Sequence, residues 1–437
     1  MNGATSAASA QMLPLEVLPQ AVVDRIRRLA AVGDVPVSTY LYCPEKAARR
    51  AELLRATLPT WAEVFYAVKA NSFSPVLQAL ASVVDGFDVA SQREGELVAA
   101  AAAAVGKRAR LVASGPGKSD PNLAALIPLG TELINVESEL ELYRVARFAE
   151  MAGRRMQVAI RVNPTKITLP GSLQIGGRAT SFGIAETAVP SALAVAATLP
   201  ALEVVGFHFH EVCNNLDAEA HAAYVRWCLM WSSRMAATHG VDLQVVDVGG
   251  GLGVAGEGQA SFDLELFADR LRELHPPAGT RVVFEPGRWL VDDCGYYAAE
   301  ITDLKHNHGS WFAVLRGGIN HFLRPASYGT LHNFTLIPVE SWSYACLRPE
   351  VRDAPVTVVG ELCTPIDVLV RDIMVDRIRP GDIVVFPRAG SYGWEVALQE
   401  FLGHPHARRV AVDTNEDGDD PPVACSRVGI EDFLEQA

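Results

Sequence analysis

From residue 63 to residue 288 the chain repeats one pattern eight times: a short apolar run, then a stretch with helical spacing. The apolar runs cover residues 63–72, 86–91, 109–115, 133–138, 156–164, 202–210, 243–251 and 280–288. Continuous Val, Ile, Leu and Phe suit parallel strands covered on both faces. Eight strand-helix units over about 250 residues match a (β/α)8 barrel. A doubly wound open sheet satisfies the same alternation, but eight units favour closure.

At 437 residues the chain exceeds one ordinary core. Residues 20–31 have helical spacing and 38–43 read as a strand; beyond 295 the strands become short and mixed, with Gly, Pro and Asn turns. The expected layout is a disordered segment over 1–18, an α/β TIM barrel over 44–295, and a β-rich domain built from 19–43 and 296–437. The acidic, Pro-containing stretch 414–422 reads as a solvated loop. A net charge of −13 argues against nucleic-acid or anionic-membrane partners. Seven cysteines without CxxC pairing read as reduced thiols. Neither a secretory leader nor an apolar stretch of membrane-spanning length is evident, so a soluble, cytoplasmic protein is expected.

The polar residues within this pattern gather at one end of the strands: Lys69, Asp88, Ser91, Ser114, Glu137, Arg161, Asn163, His208, His210, Gly249–Gly251, Glu285 and Arg288. In a barrel this is the face where catalytic groups collect. Lys69 ends the run Phe-Tyr-Ala-Val-Lys; burial would depress its pKa and make it a nucleophilic amine. Read alone, a lysine snorkelling from the rim of a core strand is the favoured reading. Gly249–Gly251 would let backbone N–H groups approach a phosphate, with Arg288 as a nearby cation. Glu285 could pair with a protonated pyridine nitrogen, and His208 could lie flat on the ring. An imine-forming lysine, a phosphate cradle, a carboxylate and a stacking ring are what pyridoxal phosphate needs. The pattern calls for no metal.

The stretches FYAVKANS, FDVAS, EPGR, GELCTPID and GSYG resemble the fold-type III pyridoxal-phosphate decarboxylases, the family of diaminopimelate, ornithine and arginine decarboxylases. The similarity runs from about residue 35 to 410 and implies an alanine racemase-like barrel. It implies that Lys69 holds the cofactor as an imine, Glu285 pairs with the pyridine nitrogen, and His208 stacks on the ring. It further implies that Asp88 supports the lysine, that Arg161 lies near the cofactor, and that Gly249, Gly250, Gly251, Arg288 and Tyr392 hold the phosphate. In the family the site lies at a homodimer interface, so Cys363 and Asp367 would come from the second subunit, Cys363 as proton donor.

Departures from the family bear on substrate. The usual Gly-Ser after the stacking histidine and its neighbour is replaced, in the run His208–Asn215, by HFHEVCNN. Thr364 stands where an acid usually receives a distal amine, which argues against a simple diamino acid. The segment 317–329 resembles the diaminopimelate decarboxylase segment in which an arginine binds a carboxylate. Arg324 fits that role, Tyr328 lies beside it, and Arg316 and His210 add positive character. The whole is most similar to the siderophore-biosynthesis branch of staphyloferrin B type, which acts on an amino acid joined to citrate. The expectation is a carboxy-lyase for a small, carboxylate-rich amino acid of citryl-diaminopropionate type. The alternatives are a diaminopimelate or basic amino-acid decarboxylase, a racemase, or a non-catalytic relative that binds the cofactor.

Overall fold

The computed structural model describes residues 11–32, 36–166, 169–256, 258–328 and 332–413. Its residues form two compact units. One contains Glu45–Cys294 and Gly390–Glu395; the other contains Met1–Pro44, Gly295–Ala389 and Val396–Ala437.

In the first unit eight parallel strands close into a barrel. They are Ala62–Ala67, Gly86–Val89, Leu111–Ala113, Leu133–Val136, Met156–Asn163, Leu202–His208, Val245–Asp247 and Arg281–Phe284. Each pairs with the next, and the eighth returns to the first through Val282 opposite Ala62. That last pairing excludes the open doubly wound sheet. The apolar runs are buried on both faces because side chains on one face fill the barrel and those on the other meet the helices. Phe65, Val112, Leu133, Ala159, Val205, Val245 and Val283 form one buried cluster, from seven of the eight strands. Gly86 makes room for the largest of them: a Cβ there would lie 2.3 Å from the Phe65 ring. Burying that ring contributes about 2 kcal/mol.

Five helices that follow barrel strands are capped at their first turn, and two of them, at Ser91 and Ser138, start within one turn of the strand that feeds them. Ser91, Ser119, Ser138, Asp217 and Asp263 each accept a hydrogen bond from the first-turn backbone. At Ser91 the cap is reciprocal, because Glu94 accepts from the Ala90 N–H at 2.6 Å. Such caps contribute about 1 kcal/mol each and fix where the chain leaves the barrel rim.

The second unit is built on an eight-stranded sheet. Its longest strand, Gly295–Asn307, pairs antiparallel with Ser38–Tyr42, Ser310–Leu315 and Ile383–Phe386. Ser38–Tyr42 also pairs parallel with Arg408–Ala411. The helix Gln20–Val32 buries Val22, Val23 and Ile26 against Leu41, Tyr296, Ile383 and Val385. The sequence pattern did not single out Gly295–Asn307 as a strand. Disorder was expected over 1–18, but residues 11–18 are held: the Leu13 N–H donates to Phe334 O, and Leu18 is buried. Residues 1–10 and the acidic loop at 414–422 lie outside the described residues. No helix among the described residues is long and apolar enough to cross a membrane.

Candidate active site

The first strand ends at Ala67 and a single 3-10 turn, Val68–Ala70, carries Lys69 over the barrel mouth. Asn71 fixes the exit: its side chain donates to Gly390 O at 2.7 Å, and its carbonyl accepts from the Tyr66 hydroxyl at 2.9 Å. The segment Gly390–Glu395 thus packs on the lysine turn within the same unit, with the Tyr392 N–H donating to Ala70 O at 2.7 Å. The Arg288 guanidinium lies over the Tyr392 ring, 4.9 Å from its centre.

Lys69 Nζ donates to Asp88 Oδ2 at 3.0 Å. Burial alone would depress its pKa, as the sequence suggested. Asp88 and then Glu285 outweigh burial and raise it above the ordinary lysine value. The expected neutral amine is therefore a paired ammonium in this arrangement, because two carboxylates face it. Its side chain is 41% exposed, towards the open mouth.

Beneath Lys69 the mouth is floored by buried polar groups from successive strands. Ser114 and Asp247 both accept from the Asn135 side chain, at 3.0 and 3.2 Å, and Asp247 Oδ1 also accepts from the Gly249 N–H at 3.0 Å. His208 Nε2 faces Glu285 Oε2 at 3.5 Å, and neither ring nitrogen of His208 makes a hydrogen bond among the described residues. Burial would push Glu285 up, but the His208 imidazole, then Lys69 and His210, hold it well below the usual carboxylate range. Asp247 goes the other way, driven up by burial and then by Glu285. The two carboxyls are thus pushed in opposite directions, Glu285 towards its ionised form and Asp247 towards its protonated one.

Arg161 is buried and donates to Glu137 at 2.7 Å, and Glu137 also accepts from the Gly115 and Gly183 N–H groups. This pair fixes the loop over the fifth strand. The three glycines offer less to a phosphate than expected. Gly249 N–H is taken by Asp247 and Gly250 N–H donates to His210 Nδ1, leaving Gly251 N–H without a partner among the described residues.

The remaining candidates lie in the β-rich unit. Arg316 is ion-paired with Glu361, so its charge is already balanced. Asp367 is buried, its carboxylate accepting from the Ile319 and Leu362 N–H groups at 2.8 and 2.9 Å. It is a brace for two loops rather than a group offered outward. The Thr364 carbonyl accepts from the Asp367 N–H, and Cys363 is exposed. Arg324 opens the short helix Arg324–Tyr328 and donates to Arg388 O at 2.7 Å. The Tyr328 side chain lies outside the described residues. His210 does not supply positive charge either: burial, then Lys69 and Arg161, hold it well below its ordinary value.

Sequence reasoning missed Asn135 and Asp247. The signal at Asp247 was a lone acid inside Val-Val-Asp-Val, where an uncompensated charge is costly. Asn135 carried none. His208, Asp247 and Glu285 each bring one donor atom within 4.8 Å of the others, a spacing that also suits a small divalent cation.

The fit to pyridoxal phosphate rests on these groups. An ionised, buried Glu285 suits a protonated ring nitrogen, the unpartnered His208 ring suits a flat aromatic face, and Lys69 suits the aldehyde carbon. Residues 45–292, more than half the chain, match the family model described as the pyridoxal-dependent decarboxylase, pyridoxal binding domain. The chain belongs to this decarboxylase family. It is a pyridoxal-phosphate enzyme and a lyase, as the motif series implied. Among its relatives is a Staphylococcus aureus enzyme named 2-[(L-alanin-3-ylcarbamoyl)methyl]-2-hydroxybutanedioate decarboxylase, 34% identical over 85% of this chain and 93% of its own. The diaminopimelate decarboxylase of Neisseria meningitidis serogroup B is 28% identical over 81% of this chain and 82% of its own. The crystal structure of Helicobacter pylori diaminopimelate decarboxylase (a point mutant complexed with L-lysine) superposes on this decarboxylase with a TM-score of 0.75. It is 26% identical, over 88% of this chain and 94% of that one.

Proposed function

We propose that this decarboxylase removes the α-carboxylate of an amino acid carried on a citrate-like arm, in siderophore biosynthesis. The observation that carries this reading is the 34% identity to the Staphylococcus aureus enzyme, which extends over 93% of that relative. That enzyme's name describes an L-alanine joined through its C3 nitrogen to a hydroxy-dicarboxylate. Thr364, in place of an acid for a distal amine, agrees with a substrate that ends in carboxylates.

Bound pyridoxal phosphate supplies the electron sink for the pair left on Cα when carbon dioxide departs. The protein's residues then have separable tasks. Lys69 would hold the group through its amine, leaving the substrate's amine to take the same position. Glu285 keeps the ring nitrogen protonated, and His208 covers one ring face. Arg288, Tyr392 and the Gly249–Gly251 loop hold the phosphate end, while Asp88 and Arg161 brace the surrounding turns. Arg324 meets a substrate carboxylate, with Tyr328 and Thr364 as its neighbours. Arg316 and Asp367 become supporting residues, since Glu361 and two backbone amides already occupy them. The protein acts as a cytoplasmic homodimer, and the partner subunit's Cys363 returns a proton to Cα.

The test is carbon dioxide release from cofactor-loaded protein offered the citryl-diaminopropionate conjugate, diaminopimelate, ornithine, lysine and arginine in turn. Release from the conjugate alone supports the proposal. Release from diaminopimelate or a free basic amino acid overturns it in favour of the corresponding relatives. Racemisation without gas would overturn the decarboxylation itself.

A further inference from the structure

The run that follows His208 lies along the glycine loop as a second wall. Gly250 N–H donates to His210 Nδ1 at 3.0 Å, Asn215 N–H to Gly251 O at 2.8 Å, and Val254 N–H to Asn214 Oδ1 at 2.8 Å. The fit is close enough to require glycine: a Cβ at 249 would lie 2.6 Å from His210 Nδ1, and one at 250 would lie 2.4 Å from Glu285 O. Because Nδ1 accepts from an amide, a neutral His210 ring carries its proton on Nε2. Burial, then Lys69 and Arg161, oppose a second proton, and Glu285 only partly offsets them. Nε2 has no partner among the described residues, so one neutral N–H donor remains beside the loop.

We propose that His210 is a ligand of the cofactor's phosphate: its Nδ1 takes up the Gly250 amide that a phosphate oxygen would otherwise use, and its Nε2–H replaces that donor. The phosphate cradle then consists of His210 Nε2–H and Gly251 N–H together with Arg288 and Tyr392. The proposal rests on the assignment of pyridoxal phosphate as the cofactor. It assigns the HFHEVCNN departure to the phosphate end of the site rather than to the substrate.

The test compares binding of pyridoxal 5'-phosphate with binding of pyridoxal, which lacks the phosphate, to wild-type protein, His210→Ala and His210→Gln. Visible absorbance reads both ligands. His210→Ala is expected to lower the preference for the phosphorylated form by about 10-fold or more, with pyridoxal binding unchanged. His210→Gln, whose amide offers both an acceptor and a donor, is expected to restore most of that preference. Equal loss for both ligands overturns the proposal, as does an unchanged preference with a raised KM, which would place the donor on the substrate. Nitrogen-15 NMR of the wild-type imidazole needs no variant to fold: a neutral ring protonated on Nε2 is expected at pH 7, and an imidazolium or an Nδ1 proton overturns it. If wild-type protein develops no visible band with pyridoxal phosphate, the cofactor assignment fails first and this proposal with it.

Discussion

At the scale of single residues, the site is governed by where charge is allowed to rest. Lys69 is held as an ammonium by Asp88 and Glu285, so it must lose a proton before it can attack a carbonyl. Lys69→Ala is therefore expected to abolish the visible band of protein-bound cofactor and all turnover; an unchanged spectrum would refute its role. Cys363→Ala should slow decarboxylation by about 100-fold, the usual scale of a lost proton donor, while cofactor stays bound. A variant that loses cofactor and activity together would instead make Cys363 a structural residue. Lys69, His208 and Glu285 were legible in the sequence because each stands at the end of an apolar run, where a polar side chain needs a reason. The charge on Lys69 was not, because Asp88 and Glu285 reach it from other strands. Nor was the balancing of Arg316, whose partner Glu361 is 45 residues away.

At the scale of elements, close backbone contacts set tolerance to change. Gly206 lies in register with Val245 on the neighbouring strand, and a Cβ there would come within 1.8 Å of the Val245 carbonyl oxygen. Gly206→Ala should cost about 3 kcal/mol, read as a lower denaturant midpoint. A midpoint equal to wild type would mean that the strand shifts freely. Glu211 begins the wall beside the glycine loop, and its buried carboxyl, with one oxygen lacking a hydrogen bond among the described residues, is pushed up to about 8 by burial, which Arg161 only partly offsets. Between its ordinary 4.5 and that value the folded protein keeps a proton that the unfolded chain has released. Its stability contribution is thus complete below the lower value and is lost as pH rises through the upper one, by about 1.4 kcal/mol per pH unit. Glu211→Gln should melt increasingly above wild type as pH is raised from about 5 to about 8. Parallel melting curves would show that Glu211 ionises at its ordinary value. The barrel strands were legible because burial on both faces leaves an unbroken apolar run. Gly295–Asn307 was not, since its second half alternates or faces solvent and reads as polar.

At the scale of the whole molecule, the proposed homodimer makes a quantitative prediction. If each site combines Lys69 of one subunit with the partner's Cys363, mixing inactive Lys69→Ala with Cys363→Ala protein should restore about one quarter of wild-type activity: half the dimers are mixed, and one of their two sites is intact. Activity that stays at the level of the separate variants would mean that both residues serve a site within one subunit. The eightfold barrel could be counted from sequence because its repeat is local. The return of Gly390–Glu395 to the barrel unit was legible only through the GSYG resemblance, which implied Tyr392 at the phosphate; composition and periodicity in so short a stretch do not declare which core it joins. That return has a consequence for heredity. A recombination event that exchanged only Glu45–Cys294 between two members of this family would leave behind the six residues that seat Asn71, Ser72 and Arg288. A viable hybrid has to inherit both stretches from one parent, so the barrel and the later segment that closes it should descend together.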